Sequence, residues 1–312
     1  MDKKSKRIES LQLAVLRPCS AAIDVGSMMM MISYSDKEGN QNLLEVDAFT
    51  ESLEQLVTTL QKAGVRYVAM EATGVYWIVI YEILEQQGFE VTLVNAKHFK
   101  KVDAQKTDVK DCQWLHQLHA NGLLRASHIA KEVYRELRGY LHERNLLQKQ
   151  KSDTLNRIHK LLTQMNIKVQ HLISDIEGVS GMKLLRSIAE GITDAKDLLA
   201  LIDVNKLKAS EEDLLKSLQG IYKKQYVAIL KNTLKSYDFF KDQMRVYEKL
   251  IEDVLKKMLP EAGNGHKPII KSKTSYTRKN QYRINLKEYL KHIIGVDVTR
   301  IDGIDEISAL EI

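Results

Sequence analysis

The hydrophobic period of this chain changes once, and that change constrains what its parts can fold into. Up to Gly122 the apolar residues come in short runs divided by glycine-bearing turns; beyond it long 3.6-residue patterns take over. Leu155, Ile158, Leu162, Met165, Val169 and Leu172 follow one another at steps of three and four, which predicts one continuous apolar helical seam. A second run places Leu230, Tyr237, Met244, Ile251 and Met258 at sevens, with Phe240, Tyr247 and Val254 at the complementary positions. Both are coiled-coil candidates. Seven-residue spacing does not name the partner, so an antiparallel pair within one chain and a dimer seam are equally compatible with it. Pro260 and the stretch EAGNGHKP break the second helix.

Before the change, residues 19–47 read as three short strands, the first two a hairpin about Gly26-Ser27. Leu53, Leu56, Val57 and Leu60 then predict a helix, with Thr50 and Ser52 as capping candidates and Gly64 as its end. The strand RYVAME, a helix over VYWIVIYEILEQQG, the strand FEVTLVN and a helix opened by KTDVKDCQWL complete the order βββαβαβα. This is an α/β domain with one mixed sheet. The resulting division is an extension at 1–18, the α/β domain at 19–125, the helical region at 126–260 and a basic tail at 261–312.

With 312 residues and 44% hydrophobic content, the chain is long enough to bury sizeable cores as an ordinary globular protein. A net charge of +6 and a pI near 9.0 favour a polyanionic partner. Cys19 and Cys112 have no metal-like spacing and suggest no disulfide framework, so a reducing cytoplasm is expected. The opening MDKKSKRIESLQLAVLRP lacks the apolar run of a signal peptide, and no stretch reaches the roughly 18 apolar residues of a membrane span. The tail concentrates positive charge: Lys267, Lys271, Lys273, Arg278, Lys279, Arg283, Lys287 and Lys291 are opposed by Glu288, with Tyr276, Tyr282 and Tyr289 interleaved. Basic side chains beside aromatics suit phosphate contact and base stacking. A solvated linker with structural tyrosines is the alternative.

Four carboxylates stand out against the element order. Asp24 lies near the end of the first strand, which would be central in a ribonuclease H-like sheet, and Glu71 closes the strand expected beside it. Asp108 and Asp111 head the last helix of the domain and share a face at i, i+3. All four can meet at one sheet edge. Two unit charges 4 Å apart repel by about 4 kcal/mol at an effective dielectric near 20, so such a set needs protons or divalent cations. Oxygen-only ligands favour Mg²⁺ or Mn²⁺, and a pair of such ions can activate a nucleophile on a phosphodiester and stabilise the leaving oxygen. Taken singly, Asp108 and Asp111 suit a helix N-terminus behind Thr107, Asp24 a turn, and Glu71 a solvated strand end.

The blocks AIDVGS, MEATGVYW, VNAKHFKKVDAQKTDVKDCQWLHQLHANGLL and IIGVDVTRIDGIDEISALEI resemble the DEDD transposases of bacterial insertion sequences, the family numbered one hundred and ten with its sister group. The resemblance implies a RuvC-like N-terminal domain whose acids map onto Asp24, Glu71, Asp108 and Asp111, then a coiled-coil segment, then a C-terminal domain carrying a nucleophilic serine. It also implies a structured guide RNA pairing with DNA, and strand exchange through a serine–DNA intermediate. The final block resembles only the opening of that C-terminal domain. No residue here receives the serine's role, Ser272, Ser275 and Ser308 included, so a shortened copy with doubtful activity of its own is expected. DNA, RNA and a second copy of the chain are the expected partners.

Other readings stay open: a sugar kinase or ATPase, from IDVGS; a RuvC-like nuclease of branched DNA; and a non-catalytic nucleic-acid binder. Lys106 precedes the acidic pair and is a candidate for phosphate contact, together with Lys271, Lys273, Arg278, Lys279 and Arg283. Trp77 and Trp114 read as core. His116 and His119 share a face but have no third ligand nearby, and read as helix surface or edge.

Overall fold

The structure, a computed structural model, describes residues 14–72, 74–95, 108–202, 209–261, 265–271 and 281–311, without the side chain of Asp108. The chain divides into two compact units, Met1–Ile129 and Ala130–Ile312. In the first, strands β1 (Ser20–Val25), β2 (Met29–Ser35) and β3 (Gln41–Asp47) form an antiparallel meander. Helix α1 (Thr50–Ala63) leads to β4 (Tyr67–Glu71), which pairs parallel with β1; α2 (Trp77–Gln86) leads to β5 (Glu90–Val94), which pairs parallel with β4. Helix α3 (Asp108–Ala120) follows. The sheet order β3-β2-β1-β4-β5, with β1 central, is the ribonuclease H-like arrangement expected from the sequence.

One sheet face carries Ile23, Ile32, Val68 and Met70, which pack with Leu53, Leu56 and Leu60 of α1 and with Ile80 and Leu84 of α2. Gly64 ends α1 at φ 78°, a left-handed conformation that glycine adopts without a Cβ penalty. Its start differs from the capping expectation. The N-cap is Phe49 and no side chain caps it, so neither Thr50 nor Ser52 serves that role. Trp77 is half-buried against this core and meets Tyr81 edge-on at 5.6 Å.

In the second unit α4 (Glu132–Gln164) is followed by a 3-10 turn at Val169–His171, then α5 (Val179–Ala189), α6 (Ala195–Leu199), α7 (Glu211–Ser217) and α8 (Lys224–Met258). Helices α9 (Leu286–Ile294) and α10 (Glu306–Glu311) complete it. The ion pairs Glu136–Lys257 and Arg144–Glu248 run in opposite chain directions, so α4 and α8 pair antiparallel within the chain. Leu230, Tyr237, Met244 and Ile251 are buried, as the seven-residue spacing required.

The predicted continuous seam is shorter than expected. α4 stops at Gln164 and Asn166 turns left-handed at φ 53°, so Met165 and Val169 are buried from a loop and a 3-10 turn. The apolar spacing persisted because those side chains enter the same core; hydrogen bonding of the helix did not. Tyr282 and Tyr289 are 1% and 2% exposed and pack beside Leu137 and Ile251, so they are core residues and not stacking platforms. Tyr276 lies outside the described residues. Among the described residues no helix is long and apolar enough to cross a membrane.

Candidate metal centre

The second face of the sheet is lined by small side chains. Ser20, Ala22, Ser33 and Ala69 project toward α3 by the two-residue alternation of the strands, and Ala22 and Ala69 join Cys112 and Leu115 in one buried cluster. Small residues let the helix approach closely. The Cys112 thiol donates to the carbonyl oxygens of Met31 and Ala22, at 3.1 and 3.4 Å. Burial pushes its pKa up to about 12, so it remains a thiol and supplies no thiolate ligand.

Contacts along α3 give its direction. Cys112 meets Ala22, and one turn later His116 meets Ser20, so the helix runs antiparallel to β1 and begins where that strand ends. Asp24 and Glu71 lie one step beyond the Ile23–Met70 pair of two adjacent parallel strands. They therefore stand side by side on the α3-facing side, at the end of the sheet where α3 starts, and neighbouring strands are only about 4.8 Å apart. Asp108 is the first residue of α3 and Asp111, one turn on, is exposed. Their register places both at that helix end.

The structure adds an acid that the sequence reading passed over. Asp24 pairs with Met31 and Met31 with Glu45, so Glu45 shares their face, and Asp24, Gly26, Met31 and Glu45 line one pocket of about 190 Å³. The alternation of Glu45 with Leu44 and Val46 was visible in the sequence; the register joining it to Asp24 was not. Gly26 lets the chain turn back here, since a Cβ would collide with the Met29 carbonyl oxygen. The donors around this end are oxygens, a set suited to Mg²⁺ or Mn²⁺. Among the described residues no group of three His, Cys, Asp or Glu side chains is arranged to hold a metal ion.

His116 and His119 correct the surface reading. They are 2% and 0% exposed because positions 112, 115, 116 and 119 form the stripe of α3 that meets the sheet. Ser33 reaches His116 Nδ1 at 3.0 Å, while Ser20 and Ser35 lie 3.2 and 3.3 Å from Nε2. Neither ring nitrogen of His119 has a hydrogen-bond partner among the described residues. Burial, then Arg17 and His116, lowers its pKa to about 4, opposed only by the backbone at Tyr67.

Between pH 6.5 and about 4 the unfolded chain therefore binds a proton at His119 that the folded chain refuses, and stability falls as pH is lowered across that window. The full loss below it is on the order of 3 kcal/mol. Urea midpoints followed by tryptophan fluorescence should show this decline, since Trp77 and Trp114 both lie in the first unit. His119→Leu should reduce it, leaving the part that comes from His116, whose pKa burial also lowers. An unchanged pH dependence in that variant would contradict the assignment.

Lys271 and Arg283 are exposed in the second unit, while Lys106, Lys273, Arg278, Lys279 and Thr107 lie outside the described residues. Residues 21–167 match a transposase family, the DEDD type of IS110 elements. That segment is similar to this family. It contains the sheet from Ala21 onward, α3 with its acidic start, and α4, so the similarity spans the strand-end carboxylates. No curated protein compared with the chain matches it.

Proposed function

We propose that the chain is a DNA transposase or recombinase of an insertion sequence, in which Asp24, Glu71, Asp108 and Asp111 hold Mg²⁺ or Mn²⁺ for DNA strand cleavage and exchange. The observation that carries this reading is the placement of Asp24 and Glu71 on adjacent strand ends, at the helix end that bears the two aspartates. A bound pair of ions would supply Lewis acidity at a phosphodiester, activating the attacking hydroxyl and neutralising the leaving oxygen. The chain's own part is to concentrate negative charge. The rigid register of β1 and β4 fixes Asp24 and Glu71, and the buried packing of Cys112 and Leu115 fixes α3 above them. Gly26 keeps the β1–β2 turn tight beside Asp24.

A guide RNA is the proposed second nucleic acid, and the exposed Lys271 and Arg283, with Lys106, Lys273, Arg278 and Lys279, are proposed to contact phosphates. Assembly of copies is proposed through the helical unit. The outward stripe of α8 supports this, with Phe239 and Val246 56% and 51% exposed, while the inward seam is filled by α4.

The chain isolated with its RNA should nick duplex DNA with Mg²⁺ or Mn²⁺ and fail to do so in EDTA. Duplex binding without cleavage under either ion would overturn the catalytic reading in favour of a nucleic-acid-binding remnant.

A further inference from the structure

A cleft of about 630 Å³ opens between α5 and α8 of the helical unit, lined among others by Gly178, Met182, Lys183, Arg186, Glu190 and Lys241. Its acids are already matched. Glu177 holds Lys151 at 3.0 Å and accepts from the Tyr237 hydroxyl at 2.9 Å. Asp238 holds Arg186 at 2.8 Å, and Glu190 lies 3.2 Å from Lys231. Among the described residues neither Lys183 nor Lys241 makes a salt bridge, nor does Arg283, which adds its charge near Lys241. Burial, with the positive charges of Arg245, Arg283 and Lys151, holds the Lys241 ammonium below the usual lysine range, with Asp238 opposing. Cations crowded about one lysine repel one another unless an anion relieves them.

The cleft is too large for a single small anion to fill, and its lip is apolar, with Val179 90% exposed. Separated cations with apolar walls between them match a sugar-phosphate strand, where charge alternates with uncharged sugar. We propose that this α5–α8 cleft, through Lys183 and Lys241, grips the phosphate backbone of duplex DNA. Choosing DNA rests on the transposase reading, while the contact itself is separate from the carboxylates and needs no metal ion.

The test is fluorescence anisotropy of the full chain on a labelled DNA duplex, titrated with KCl from about 50 to 200 mM in EDTA. Lys183→Ala/Lys241→Ala should reduce the slope of log affinity against log salt by about 2, making the loss across that range about tenfold shallower. Lys62→Ala/Lys196→Ala, which removes the same charge from exposed positions elsewhere, should leave the slope as it is. Equal slopes for wild type and the cleft variant would overturn the cleft alone. Failure of the wild type to bind duplex DNA would overturn both the cleft and the transposase reading. A slope change on a hairpin RNA but not on DNA would overturn the choice of DNA.

Discussion

Asp24→Asn is expected to abolish the uptake of Mg²⁺ or Mn²⁺ by the first unit while leaving its fold intact. Asp24 is half-buried beside Glu71 and shares a pocket with Glu45. Asparagine has nearly the same shape as aspartate, so the metal-free variant should keep the wild-type far-UV circular dichroism spectrum. Wild type should gain stability with added Mg²⁺, because an ion that binds only the folded state shifts the equilibrium by mass action. The variant should lose that gain. Calorimetry should find no heat of Mg²⁺ binding in the variant, and DNA nicking should drop on the order of 10³-fold, since the ion stabilises the transition state by several kcal/mol. Unaltered Mg²⁺ uptake by Asp24→Asn would exclude this acid as a ligand, whatever happened to nicking.

The second large effect belongs to the helical unit. Arg144 is 2% exposed and Glu248 5%. The Arg144 Nε and Nη2 groups donate to Glu248 Oε1 at 3.1 and 2.9 Å, Nη1 donates to Gln148 Oε1 at 2.8 Å, and the Tyr282 ring lies 3.7 Å from the guanidinium. The Arg283 backbone N–H also donates to Glu248, at 3.4 Å. One buried pair thus joins α4 to α8 and fastens the segment that leads into α9. Glu248→Ala strands a guanidinium in the core and should cost about 3–5 kcal/mol, whereas Arg144→Met/Glu248→Leu should recover most of that loss. Far-UV circular dichroism in urea reads this unit, since its helices dominate the signal and both tryptophans lie elsewhere. A Glu248→Ala loss below 1 kcal/mol would show that water reaches the guanidinium.

The α/β unit was legible in outline because its strands bury one face or both. The short apolar runs of β1 and β2, the mixed run of β3 and the helical spacing of Leu53, Leu56, Val57 and Leu60 are local patterns that a short stretch of chain contains in full. His116 and His119 were misread for a related reason. A polar side chain interrupts an apolar stripe; the serines of β1 and β2 opposite, more than 80 residues away, satisfy His116, while His119 is buried with neither ring nitrogen hydrogen-bonded among the described residues. The helix capping of α1 failed for the opposite cause: Thr50 and Ser52 are suitable residue types, but the chain enters the helix one residue earlier, at Phe49.

Sequence alone determined the order of strands and helices, the change of architecture near Gly122 and the seven-residue seam of α8, and it nominated the four acids carried by the transposase-like blocks. Tertiary structure decided what those acids and seams face. It paired β1 with β4 so that Asp24 and Glu71 became neighbours, brought Glu45 into the same pocket, and filled the α8 seam with α4 of the same chain. Period is a property of the local backbone, whereas strand register and helix partner come from contacts between residues distant in sequence. Those contacts are selected by burial over the whole unit, and no short stretch contains them.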